Sequence, residues 1–325
     1  MFFFFITFLK ALAALLITNT HYPSVYPIAL LASGGLLGNI IFFAVSGFTL
    51  INPKQSFIFW YLKRVFRIYP SVWIITTIYI LLGFYTFDEW SISTYYFYPT
   101  YYHFIGSIIV LYIPYYFVVT NEVLLNHVNK LMLGVFILQI VVYVFFYDKS
   151  YYHIDTVREP MIRFLFFQAM LLGVRFRMYK EDYLNTNKKL DWVWLCFALL
   201  IYFLSKLAFS RLDTISHYQL LNHITIFISL YFVMKCFAGI EQKLQGLPEK
   251  LKAVITKIAQ ITLEIYMVQF VIIRCFAKLS FPGNWFLITS LIFTCALCLQ
   301  TLTNFTKSIF EKMYFFFFPK HKTEP

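Results

Sequence analysis

Ten residues, mostly apolar, separate Lys10 from His21 in the stretch "LKALAALLITNTH". Charged and titratable side chains inside an apolar helix are expensive and mark a candidate functional site. Eleven positions at about 100° each make three turns plus roughly 20°, so both side chains are expected on one helix face, about 16 Å apart along the axis. Taken alone, the pair also fits a snorkelling lysine and an interfacial histidine. A second set lies in "NPKQSFIFWYLKRVFRIYP", where Arg64 and Arg67, at i and i+3, share a helix face with Lys63 beside them. Paired guanidinium groups match phosphate in geometry and charge, although basic residues at the inner mouth of a span are also ordinary membrane topology. In "FFAVSGF", Ser46 and Gly47 are small enough to allow close helix approach or to free a carbonyl at a helix break. Ser46 has no evident base beside it and reads as a pore-lining or packing residue.

These residues need a scaffold, and composition says which. The 325 residues are 60% hydrophobic and 13% charged, with a mean hydropathy of +0.70. One soluble core could not hide that much apolar surface, so an all-α, polytopic membrane helical bundle is expected. A net charge of +12 could suggest nucleic acid, but the basic residues punctuate apolar runs instead of forming a patch. No nucleic-acid partner is expected; the bilayer is. The 40 Phe and 25 Tyr suit lipid-facing helix surfaces and membrane interfaces. Cys196, Cys236, Cys275, Cys295 and Cys298 all lie in apolar segments, where buried reduced thiols are expected, with neither a disulfide framework nor a metal site.

A bilayer core takes about twenty mostly apolar residues per helix. By that measure ten spans are expected, at roughly 3–21, 28–51, 68–84, 104–120, 131–147, 162–177, 192–209, 219–238, 258–276 and 286–305. With the N-terminus in the cytoplasm, the inner segments carry 18 Lys and Arg and the outer ones 4. That bias puts both termini inside. The opening "MFFFFITFLK" has no charged leader and no small-residue cleavage site after it, so it reads as a retained first span. The segment "FDEWSISTYYFYPTYYH" is aromatic, lacks Lys and Arg, and reads as an outer interface. Residues 1–306 are expected to form one membrane domain and 307–325 a basic cytoplasmic tail, ending in a disordered "PKHKTEP". Glu264, about two turns into span nine, is costly unless it faces a pore or a basic partner. His103 opens span four, where an interfacial role is equally open. Glu122, His127, His153, His217 and His223 fall near loops or helix ends, at no spacing that suggests a metal site.

The stretches "FITFLKALAALLITNTHYP", "FFAVSGFTLI" and "FWYLKRVFRIYPSVW", in this order and spacing, resemble the opening of the acyltransferase-3 family of integral-membrane O-acyltransferases. That family shows Lys/Arg, ten residues, then His in span one, an F-x-x-S-G-F-like stretch in span two, and R-x-x-R entering span three. Further on, "YYHFIGSIIVLY" is similar to the start of a later family span, with His103 in place. "ITLEIYMVQ" resembles the ninth-span S-x-x-I-Y-L-x-H stretch, with Thr262 for Ser and Gln269 for the usual His.

The resemblance implies transfer of an acyl group, usually acetyl, from acyl-CoA to a sugar hydroxyl of a surface or exported glycan or glycolipid. It implies His21 as the catalytic base that takes the acceptor's proton, with an acyl-histidine relay as a variant. Lys10, Arg64 and Arg67 would hold the phosphates of CoA, while Ser46, His103 and Glu264 would be pore-lining or supporting residues. By its composition the chain fits a bacterial inner membrane, and a eukaryotic endomembrane stays open. Ten spans with polar residues at mid-depth also suit a transporter or flippase of a lipid-linked sugar, although no matching pair of interrupted helices marks two symmetric halves.

Overall fold

The computed structural model describes residues 3–97 and 102–317, and among these there is no strand. A helix of at least fifteen residues stands at each of the ten expected positions: α1 (Phe4–Asn19), α2 (Gly35–Thr49), α3 (Phe57–Leu81), α4 (His103–Thr120), α5 (Val128–Phe146), α6 (Ile162–Met178), α7 (Lys189–Arg211), α8 (Leu220–Gly239), α9 (Thr262–Phe276) and α10 (Gly283–Phe317). Six helical segments are long and apolar enough to cross a membrane, or seven if Glu249–Gln260 and α9, a bent pair, count as one. The helices at α1, α3 and α6 fall outside that set. α1 and α6 have 16 and 17 residues, and α3 carries Lys63, Arg64 and Arg67 in its first half. Residues 98–101 of the expected outer segment, and the tail from 318, lie outside the described residues.

The chain divides into two compact units, one from Met1–Thr20, Ser33–Tyr61 and His103–Ala259, the other from His21–Ala32, Leu62–Tyr102 and Gln260–Pro325. In the first unit α2 is the middle helix. Its Gly38 and Gly47 are nine residues apart, half a turn out of phase, and so serve opposite faces. A Cβ on Gly38 would sit 2.8 Å from the Ala13 carbonyl oxygen of α1, and one on Gly47 only 2.0 Å from the Met170 carbonyl oxygen of α6. Gly173 of α6 approaches α2 as closely, 1.9 Å from the Ala44 oxygen. Backbones in such contact gain dispersion energy that bulkier residues would prevent. Phe43 and Phe166 stack across the same pair at 4.3 Å, and Tyr115 of α4 donates to the Gly47 carbonyl.

The first turn of α1 begins at Phe4 without a local side-chain cap. Its orphan amides, which would be costly in an apolar setting, are taken by buried Glu241, whose two carboxylate oxygens accept from the Phe4 and Phe5 N–H groups at 2.7 Å each. Deeper in the same unit a polar chain crosses the helices. Gln168 donates to Gln139 (2.8 Å), the Gln139 amide meets His223 Nδ1 (3.0 Å), and His223 Nε2 faces the Ile154 carbonyl (3.2 Å). Asp155 accepts from Asn222 and from Tyr152, and pairs with Lys206 at 3.6 Å. His223, expected near a helix end and unremarkable, is 2% exposed at the centre of this chain.

The second unit holds most of α3 together with α9 and α10. Its aromatic segment after α3 does not stay at the helix end. Tyr69 donates to the Phe97 carbonyl (2.7 Å), Trp73 Nε1 to the Tyr96 carbonyl (2.9 Å), and Thr77 shares a hydrogen bond with the Tyr96 hydroxyl. The chain therefore folds back along α3 from Leu81 to the level of Tyr69, about 18 Å of helix. The cysteines were expected to be buried, but only Cys236 is; Cys196, Cys275 and Cys298 are exposed. Apolar context in the sequence did not mean burial, because these helices turn apolar faces outward.

Candidate functional site

α1 stops at Asn19, and the Thr20 N–H closes onto the Leu16 and Thr18 carbonyls. The following "HYPSVYP" cannot continue the helix, since Pro23 and Pro27 lack the N–H and push the residues before them to extended backbone. His21 thus lies beyond the helix in a turn-rich segment, and the expectation that one helical face carries both Lys10 and His21 is corrected. Lys10 belongs to the first unit and His21 to the second.

The segment bearing His21 is anchored within the second unit. Tyr22, 3% exposed, shares a hydrogen bond with Thr289 of α10 (3.1 Å). Asn284 Nδ2 donates to the Val25 carbonyl and Trp285 Nε1 to the Tyr26 hydroxyl, each at 3.1 Å. Among the described residues the His21 imidazole has no hydrogen-bond partner, so both ring nitrogens stand available to a substrate. Burial pulls its pKa below the ordinary 6.5, because desolvation disfavours the charged ring. At neutral pH it is an uncharged base.

On α3, Arg64 is half-buried and Arg67 exposed. Three residues on, Pro70 lies inside the helix and has no N–H to offer the Phe66 carbonyl. Ser71 is four residues past Arg67 and seven past Arg64, on the same stripe. There it meets Glu264, with the Ser71 hydroxyl 3.4 Å from Glu264 Oε1 and 3.1 Å from the Thr303 hydroxyl of α10. Lys307 Nζ donates to the Arg67 carbonyl (3.1 Å). The helix that carries the two arginines is thereby tied to Glu264 and to a third cation.

Glu264 was expected two turns into a helix. The helix is broken at Ile261, so Glu264 stands in the first turn of α9, where the positive end of the helix dipole favours a carboxylate. That position and the Ser71 hydroxyl both favour a carboxylate that is 7% exposed. Ser71 and Thr303 were not singled out from the sequence; the spacing of Ser71 after Arg67 was the available signal. The anchors Thr289, Asn284 and Trp285 had none, being distant in the chain.

The remaining expected residues fall in the first unit. Lys10 is half-buried on the middle of α1, Ser46 is half-buried beside the Gly47 crossing, and His103 is the first residue of α4. A family model, that of acyltransferase-3, described as an acyltransferase domain, matches residues 3–303. No curated protein and no solved structure matches.

Proposed function

This chain belongs to the acyltransferase-3 family, and on that premise we propose that it is an integral-membrane O-acyltransferase moving an acyl group, acetyl in the usual case, from acyl-CoA to a sugar hydroxyl of an exported or surface glycan, in a bacterial inner membrane. The observation that carries the reading is the anchored, neutral His21. A hydroxyl is a poor nucleophile at neutral pH, and a positioned base contributes about 10²–10⁴ in rate. In the reaction His21 takes the hydroxyl proton as the oxygen attacks the thioester carbonyl. The C–S bond then breaks, and the thiolate of CoA recovers the proton from the imidazolium. Arg64 and Arg67 suit the donor's phosphates by charge and fork geometry. Glu264, through Ser71, holds the helix on which they stand.

The test is transfer of labelled acetyl from acetyl-CoA into the glycan fraction of membrane vesicles containing the protein. Wild type should label the glycan, His21→Ala should not, and a double R64A/R67A protein should label it only at raised acetyl-CoA. Labelling that proceeds equally with His21→Ala would contradict the reading.

A further inference from the structure

The last turn of α6 carries a cation that the acyl-transfer reading leaves unused. Arg177 Cζ lies 5.1 Å from the centre of the Phe3 ring and 5.2 Å from that of Phe48. Lys180, which opens the short helix Lys180–Tyr183, places its Nζ 5.9 Å from the same Phe3 ring. Phe3, Phe5 and Phe48 pack edge to face, with centres 5.5 to 6.2 Å apart. Two positive charges therefore converge on one aromatic floor, held there by cation–π attraction against their mutual repulsion. Three acids lie nearby: Asp182 follows in the same short helix, and the other two are engaged. Glu181 pairs with Lys180 at 3.3 Å from the surface, and both oxygens of Glu241 hold the α1 amides. Among the described residues Arg177 makes no ion pair, and its guanidinium donates no hydrogen bond. A half-buried fork of five N–H donors thus stands open to an anion.

The floor also leads somewhere. Phe3, Thr7 and Lys10 follow one another at i, i+4 and i+7, so they run up one side of α1. Thr7 and Lys10 are half-buried, whereas Ile6, Leu9, Ala11, Ala13 and Ala14 are buried. The stripe carries polar groups from Arg177 and Lys180 to Lys10, about 10 Å along the helix.

We propose that Arg177, with Lys180, binds a phosphate group of a ligand lying along the Phe3–Thr7–Lys10 stripe. Two molecules carry that chemistry here, coenzyme A as part of the acyl donor, or the headgroup of an anionic phospholipid. Only the first source rests on the proposed function.

The experiment uses the full chain in nanodiscs of phosphatidylcholine, titrated with coenzyme A by calorimetry as wild type, Arg177→Gln, Arg177→Lys and Lys180→Ala. It is repeated in discs containing phosphatidylglycerol, with bound lipid counted by native mass spectrometry. Loss of a charge-assisted phosphate contact should weaken coenzyme A binding roughly tenfold in Arg177→Gln, less in Arg177→Lys, with the thermal midpoint unchanged. Arg177→Lys keeps a cation over the rings and decides the matter if the Gln variant melts early. Unaltered coenzyme A binding with lost phosphatidylglycerol would assign the phosphate to lipid. Wild type that binds no coenzyme A would count against the donor reading and leave the lipid measurement to decide this site. Equal binding of both ligands by wild type and the Arg177 variants would overturn the proposal.

Discussion

Among single residues, the proposed acyl transfer depends on a base that stays neutral. Because burial lowers the His21 pKa below 6.5, the active, unprotonated form predominates at pH 7 and is lost as pH falls through that lowered value. The initial rate in vesicles should therefore fall to half its plateau only below pH 6.5. A rate already halved at pH 6.5 would indicate an unperturbed histidine. Ser71→Ala removes the hydroxyl between Glu264 and Thr303 and leaves a buried carboxylate with one partner fewer, at a cost of about 1–3 kcal/mol. It should lower the thermal midpoint while leaving the histidine-dependent pH profile in place, as a pH series on the purified variant would show. Residue type draws attention to His21 and Glu264 and spacing to Arg64 and Arg67, whereas the spacing that sets His21 on the face of Lys10 fails where α1 ends. Their supports could not be read from either, since Thr303, Thr289 and Asn284 are ordinary polar residues until the chain brings them back.

The element scale is governed by backbone contact and by the few places where helices stop. Gly47 and Gly173 sit where α2 and α6 touch, and any Cβ would collide with a carbonyl that cannot swing aside. Gly173→Val should destabilise the protein by about 1–3 kcal/mol or more, read as a lower melting temperature and lower yield in membranes, whereas Gly134→Ala, with open space around it, should do neither. Replacing His223 by Leu would strand the Gln139 amide and should cost a similar amount. The "FFAVSGF" stretch announced close helix approach through its small residues. The length expected of a bilayer span carries the first helix through the polar "TNTH" to His21, while the helix obeys the two prolines beyond it and ends at Asn19. The break at Ile261 carries no proline or glycine to announce it; the sequence shows only a change from the lysine-bearing Glu249–Gln260 to the apolar α9.

For the whole molecule, composition alone pointed to a helical membrane protein, because so apolar a chain has no soluble core large enough to hide it. Hydropathy could not say where the aromatic segment after α3 would go, since tyrosine suits an interface and a packed groove equally well. The charge bias predicts both termini in the cytoplasm. In a cysteine-free background, a single cysteine placed at Asp213 should react with an impermeant thiol reagent added outside intact cells, and one placed at Asn187 only after lysis.

The most direct test of the account is the acyl-ester content of the surface glycan, measured by NMR in cells that lack the protein and are complemented with wild type or with well-expressed His21→Ala. If His21 is the base for acyl transfer, esters vanish on deletion, return with wild type and stay absent with His21→Ala. Full restoration by His21→Ala, or a change in glycan amount with acylation untouched, would contradict it.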